Sequence, residues 1–359
     1  MGSWKKAIFQ PKSLEELITS ANIVIDTNVL LAAYQWKEVT VNEVLDALNQ
    51  LAEEGRLLIP NQVVTEFAKN RPGRIIEMVR YLQQISQSLQ PQKKLDQTIP
   101  ALYVTENHDE ILQLEKDYIE ALNKYKAGLK SLKKNLIGLY QQDPILEKLE
   151  SILSKSYYEP SELLSNADLD KAAQERFKNK IPPGYKDSNK EENNSGDYII
   201  WANILTIKTD VIFITADKKP DWTIKDPDDN VICARRELIE EFYESSEGCS
   251  FVLVSPKDFF SQFKPNVSEI IQEDLSNSHS IIAMPAEEVK SISYNIDRIK
   301  SMLEKGYFSS ETTKKAEYIL NNYSEIYNDD SVEKLETILT LLENDVKDRN
   351  KQNILLEQF

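Results

Sequence analysis

Asn22-Ile23-Val24-Ile25-Asp26-Thr27-Asn28-Val29-Leu30-Leu31 is a short β-branched run that ends on a carboxylate and then turns apolar again. A continuous apolar run without alternation is the pattern of a strand buried on both faces, as in a parallel sheet. The pattern returns at Leu57-Leu58-Ile59-Pro60, at Asp210-Val211-Ile212-Phe213-Ile214-Thr215 with Asp217 just beyond, and at Phe251-Val252-Leu253-Val254. Between these runs the spacing is helical. Val41, Val44, Leu45, Leu48 and Leu51 share one face, Gln62 to Phe67 opens a helix, and Asp197 to Leu205, Glu237 to Tyr243 and Pro256 to Phe263 read the same way. Strands alternating with helices predict an α/β domain: a parallel sheet flanked by helices.

Two regions depart from this rhythm. From about Ile75 to Tyr158 the text is long, polar and helical, with Leu112, Tyr118, Leu122, Leu129, Leu132 and Leu136 on one stripe. It reads as a helical insertion spanning about 75–180, followed by an exposed loop up to Asn194. After Pro265 the strand pattern stops. Ile292, Ile296, Ile299 and Leu303 share a helical face, as do two later sets, and Asp330-Ser331-Val332-Glu333 fits a capping box. The expected organisation is a sheet domain over 1–265 and a helical appendage over 266–359. In that tail acids outnumber bases 18 to 10, which marks it as a separate compositional region. Its apolar stripes suit self-association or docking to a partner protein.

Composition narrows the functional classes. With 41% hydrophobic residues in 359, the chain can bury a sizeable core. No apolar stretch approaches bilayer length, no signal core follows Met1, and two cysteines are too few for a disulfide framework or zinc cluster, so a cytoplasmic protein is expected. The net charge of -16 argues against passive coating of nucleic acid, which rests on neutralising phosphates with Lys and Arg. Local contact, with metal ions or a small basic patch supplying the positive field, stays open.

The acids carry the chemistry. Ligands of open α/β sheets bind outside the carboxyl ends of the strands. Asp26 ends one predicted strand, Asp217 lies just past another, and Glu66 and Asp197 fall in the first turns of helices. Each alone has a plainer role: Asp26 and Asp197 as helix caps, Glu66 as a solvated acid, Asp217 as a turn residue. Together they would repel one another unless cations bind between them, and oxygen-rich sites suit Mg²⁺ or Mn²⁺. Rival chemistries lack their parts. A phosphatase that begins with Asp after a strand needs a second acid where Asn28 stands, no Gly-rich phosphate loop is present, and His108 and His279 are isolated.

Four stretches resemble motifs of the PIN-domain family: Val24–Leu31, Ile59–Phe67 with Asn70-Arg71, Ser195–Trp201, and Ile214–Trp222. They are similar above all to a PIN-like branch of bacterial proteins, which also carries an Arg-Phe and Pro-Pro-Gly-Tyr stretch, matched by Arg176-Phe177 and Pro182–Asp187. The resemblance spans roughly 23–263 and implies a PIN-like sheet with a helical insertion. It implies a metal-dependent nuclease, most often an endoribonuclease, in a setting such as phage defence or stress response. Carried over by residue, Asp26, Glu66, Asp197 and Asp217 are the metal-binding acids, and Asn28 orients Asp26 or the attacking water. One position departs from the branch: Ala216 stands where an acid often precedes Asp217.

Arg71, Lys218, Lys219 and Arg235 are candidate phosphate contacts, set against ordinary surface charge. Lys124, Lys126, Lys130, Lys133 and Lys134 form a basic segment in the insertion, either a solvated face or a rail for nucleic acid. The alternatives to a ribonuclease are a DNA endonuclease on the same site and a scaffold that keeps the fold without the chemistry.

Overall fold

In the computed structural model the described residues are 4–89, 91, 94–187, 195–228, 230–276 and 303. The chain divides into two units, Met1–His279 and Ser280–Phe359. The expected helices of the tail and its capping box lie outside the described residues.

The first unit begins with α1 (Trp4–Ile8) and α2 (Leu14–Leu17), then β1 (Asn22–Ile25), α3 (Thr27–Ala32), α4 (Glu38–Glu53) and β2 (Leu57–Pro60). The long α5 (Asn61–Ser88), short α6 (Leu95–Thr98), long α7 (His108–Gly138), α8 (Pro144–Ser156) and two-residue β3 (Tyr157–Tyr158) follow. The chain continues through α9 (Asn166–Lys178), α10 (Gly196–Leu205), β4 (Val211–Ile214), β5 (Thr223–Lys225), β6 (Val231–Ala234) and α11 (Arg236–Ser245). It closes with β7 (Phe251–Val254), α12 (Pro256–Phe263) and α13 (Glu269–Ser276).

Five strands form one parallel sheet in the order β3-β2-β1-β4-β7. Val24 stands between Leu58 and Phe213 in register, so β1 is the central strand. Its last three side chains, Ile23 to Ile25, and all four of β4 are buried, as the unbroken apolar runs required. From β1 the chain moves to β2 on one side and later to β4 on the other. The order therefore reverses at β1, and the crevice beyond the carboxyl ends of β1 and β4 is the topological switch point. Right-handed crossovers sort the helices into two layers: α4 packs with α8 and α13, and α10 packs with α9 and α11.

The core is aromatic on one side of β4. Trp201 meets Phe251 edge-on with ring centroids 5.0 Å apart, and Phe213 meets Trp222 at 5.1 Å. Each ring removed from water contributes of order 2–3 kcal/mol by area. Trp201 and Trp222 are thus core residues, buried to 0% and 2% exposure.

Three features differ from the sequence reading. The region 75–180, read as a helical insertion, also holds a strand: Leu149 and Ile152 of α8 join the main core and β3 extends the sheet beyond β2. A two-residue strand shows no periodicity, so nothing in the text marks it. The antiparallel β5–β6 hairpin was also unforeseen, its strands being three and four residues long. Finally, α13 buries Ile271, Asp274 and Leu275 and packs on α4, so the compact unit runs past the boundary expected at 265. Asp274 fixes that contact by accepting from the Lys37 amide (3.0 Å) and the Thr40 hydroxyl (2.7 Å).

Candidate active site

At the switch point β1 ends and α3 begins with Asp26 as its N-cap. The extended backbone of Asp26 (φ -85, ψ 158) lets Oδ1 accept from the Thr27 amide at 2.6 Å. The plain role and the chemical one thus coexist on one side chain. Its other oxygen, Oδ2, accepts from Asn28 Nδ2 (2.6 Å) and from the Thr215 hydroxyl (2.5 Å) at the end of β4. Asn28 is in turn locked, because its Oδ1 accepts from the Ala216 amide at 3.0 Å. The Thr215 oxygen also accepts from the Asp217 amide at 2.9 Å. Two neighbouring strand ends are therefore stitched through three polar side chains and three amides, and Asp26 is held in one orientation.

Glu66 comes from the second turn of α5, which starts directly at the end of β2. It accepts from the Thr27 hydroxyl (2.8 Å) and Gln62 Nε2 (2.8 Å). Asp197 enters in the first turn of α10, where an acid is favoured by the helix dipole. Its position depends on the Arg176-Phe177 and Pro-Pro-Gly stretch. Gly184, at φ +92, lies so close that a Cβ there would meet Phe177 Cε1 at 3.0 Å and Asp197 Cβ at 3.3 Å. Only glycine fits both the backbone angle and the space. The turn is tied down by buried Asp221, whose Oδ2 accepts from the Gly184 (3.0 Å) and Lys186 (3.1 Å) amides. Arg176 holds the same corner: it pairs with Glu241 (2.6 Å), donates to the Pro182 carbonyl and lies over the Tyr198 ring.

Asp197 and Asp217 meet at one cation. The Lys219 ammonium lies 3.1 Å from Asp197 Oδ2 and 2.8 Å from Asp217 Oδ2. Three of the acids act electrically on the fourth, Asp26. Burial pushes the Asp26 carboxyl up to about 7; the Thr215 hydrogen bond opposes this, and the charges of Asp197, Asp217 and Glu66 add to it. A cation among the carboxylates would reverse that balance. The donor set fits a hard divalent ion, being all oxygen. Among the described residues, however, no three His, Cys, Asp or Glu side chains stand in ion-holding reach of one another. In this arrangement the Lys219 ammonium supplies the positive charge between two of them.

The expected phosphate contacts divide. Lys218 is exposed beside the cluster. Lys219 belongs to the cluster itself. Arg235 is bound to Glu237 (2.5 Å) and to the Pro220 carbonyl (3.2 Å). Arg71 is engaged within the fold: its side chain, 12% exposed, is held by Asp143 (2.6 Å), the Tyr34 oxygen (2.9 Å) and the Leu139 carbonyl (2.6 Å). Sequence reasoning missed Thr215 and Thr27. The only signal was a hydroxyl one or two positions from an acid at a strand end.

No helix among the described residues is long and apolar enough to cross a membrane. No curated protein and no solved structure gives a match to the chain. The profile of the PIN-like domain matches residues 22–238, which run from β1 into α11 and take in all four acids. That span exceeds half of the sequence, and the chain belongs to the PIN-like domain family.

Proposed function

We propose that this chain is a divalent-metal-dependent nuclease, with RNA the expected substrate and DNA the alternative on the same site. PIN-like domains belong to a nuclease superfamily, and that membership supports the reaction class. The observation that supports the residue assignment is the arrangement at the switch point, where the charges of Asp197, Asp217 and Glu66 all bear on the hydrogen-bonded Asp26 and one ammonium, Lys219, bridges Asp197 and Asp217. These four would hold Mg²⁺ or Mn²⁺. When bound, such an ion supplies an activated water and stabilises the leaving oxygen of a phosphodiester. The chain's own residues do the rest. Asn28 and Thr215 fix the Asp26 oxygen that faces β4, Thr27 and Gln62 fix Glu66, and Lys218 offers an exposed charge to phosphate. With an ion held by these acids, Lys219, which pairs with Asp197 and Asp217, would be available as a second phosphate contact. The branch that the sequence resembles supports phage defence or stress response as the setting, and the C-terminal segment as a self-association or docking element.

The Lys219 bridge favours a second reading, a scaffold in which the acids are permanently neutralised by lysine. The test separates the two. Purified protein is incubated with labelled RNA, single-stranded DNA and duplex DNA, with Mn²⁺ or EDTA, and Tm is read in parallel. Metal-dependent cleavage lost in Asp26→Asn, with a Tm rise on adding Mn²⁺, supports the nuclease. No cleavage and no Tm shift at millimolar metal leaves the scaffold.

A further inference from the structure

We propose that the basic half of the α5–α7 hairpin is a rail for the phosphate backbone of a nucleic acid strand, positioned to engage the strand well away from the bond being cut. The ligand's identity rests on the nuclease reading; the surface itself rests on separate observations. Residues 121–138 of α7 carry Lys124, Lys126, Lys130, Lys133 and Lys134 and not one acid. The stretch 78–88 of α5 carries Arg80 and again no acid. This is a local excess of cations in a chain of net charge -16.

A solvated helix face ordinarily mixes signs, and the first half of the same helix does so: Asp109, Glu110, Glu115, Asp117 and Glu120 accompany Lys116. The segregation begins only where α7 runs beside α5 toward the sheet. There the two helices enclose a groove lined by Gln83 and Ser86 of α5 and Lys126, Lys130 and Lys133 of α7. The Lys133 ammonium donates to Gln83 Oε1 at 3.1 Å, which fixes the pairing of the two helices at that level. Tyr81 and Tyr125 are about half exposed on the same stretch, at 49% and 52%. Lysines interleaved with exposed rings suit a single strand, whose phosphates take the charges and whose bases stack on the rings.

The geometry also sets a length. Glu66 of the acid cluster and Gln83 of the groove lie on one helix, 17 residues apart, which is roughly 25 Å at helical rise. A stacked strand advances about 3.4 Å per phosphate, so a strand reaching both must span about seven phosphates. Oligonucleotides shorter than this engage one end only.

The test is fluorescence anisotropy of the full chain in EDTA with 5′-labelled single strands of 6, 12 and 24 nucleotides, as RNA and as DNA, over a salt series. Wild type is compared with Lys126→Glu/Lys130→Glu/Lys133→Glu and with the neutral triple Gln variant, each checked for folding by circular dichroism. The expected result is at least tenfold tighter binding of the 24-mer than of the 6-mer by wild type. The Glu variant should lose this advantage, the Gln variant should lose part of it, and the Gln variant's log–log salt slope should fall by about 2, three contacts at roughly 0.7 each. Binding that ignores length, or is the same in all three proteins, overturns the rail. So does a change of mass by light scattering in the variants without a change in binding, which would make this face a protein contact. Cleavage of the 24-mer with Mn²⁺ is scored separately: its absence with the length effect intact removes the nuclease reading and leaves the rail standing.

Discussion

The acid cluster and the helical hairpin are built on opposite terms. The cluster sits at the carboxyl edge of a sheet whose central strands are buried on both faces, and nearly every polar atom in it is spoken for by a neighbour. The hairpin buries little: along the 31 residues of α7 only Leu122 and Leu129 are buried, while Leu114, Tyr118, Tyr125 and Leu132 face outward. One region concentrates negative charge around the Lys219 ammonium; the other concentrates positive charge beside few acids. The lesson is that net charge describes neither. A chain at -16 can still present a cationic surface if the signs are sorted along its helices.

The sharpest way to break the comparison is at the cluster. Asp197→Asn should reduce metal-dependent cleavage by a factor on the order of 1,000, with stability nearly unchanged in EDTA, because the Lys219 ammonium keeps Asp217 as a partner. Turnover and a denaturation curve on the same preparation check this; equal turnover in variant and wild type would remove Asp197 from the site.

Next comes the joint between the two regions. Asp143, 2% exposed, accepts from Arg71 and Tyr34 and also caps α8 through the Ile145 (3.0 Å) and Leu146 (3.2 Å) amides. Asp143→Ala should destabilise by about 3–5 kcal/mol, since it leaves a largely buried guanidinium unpaired and removes a cap. Urea unfolding reads the loss, and hydrogen exchange should rise most in α7. Burial also raises the Tyr34 hydroxyl well above its usual value, with the Asp143 hydrogen bond adding to it, so this phenol stays neutral and donates.

A smaller effect is expected at Asn28. Asn28→Ala removes a donor to Asp26 and the acceptor for Ala216, and should weaken metal affinity about 10–100-fold, as outer partners of ligands do. Calorimetric titration with Mn²⁺ measures it. An unchanged affinity would mean that Asp26 needs no such support.

The smallest effect is a pH slope. In metal-free protein the Asp26 carboxyl is raised from its ordinary 3.8 to about 7. Its contribution to stability is therefore fully present below 3.8 and is lost as pH rises to about 7. The gain in Tm on adding Mn²⁺ should grow over the same window, because metal and proton compete. In Asp26→Asn both trends should flatten. A metal increment in wild type that stays constant as pH rises from 3.8 to about 7 would count against Asp26 as the titrating group.

How much of this was legible in the sequence follows from length and period. The strands at Asn22, Leu57, Asp210 and Phe251 announced themselves because runs buried on both faces have no polar interruptions. The acids were legible from their place at strand ends and helix starts. What hid was short or depended on distant partners. Tyr157-Tyr158 is too brief to carry a pattern, and its pairing with β2 is set by α8 delivering it there. Arg71 looked like an open cation because Asp143 is 72 residues away and nothing local predicts their meeting. Thr215 resembled ordinary strand text until β1 and β4 were seen side by side.

The Lys219 bridge has a consequence for how the molecule comes into being. A site made only of carboxylates couples folding to ion supply, so a newly made chain would wait on the cell's free magnesium before closing. Here the ammonium acts as a resident counter-ion for Asp197 and Asp217. The polypeptide can mature with its own lysine in place, and on the proposed function loading would be an exchange of one cation for another, not a condition of assembly.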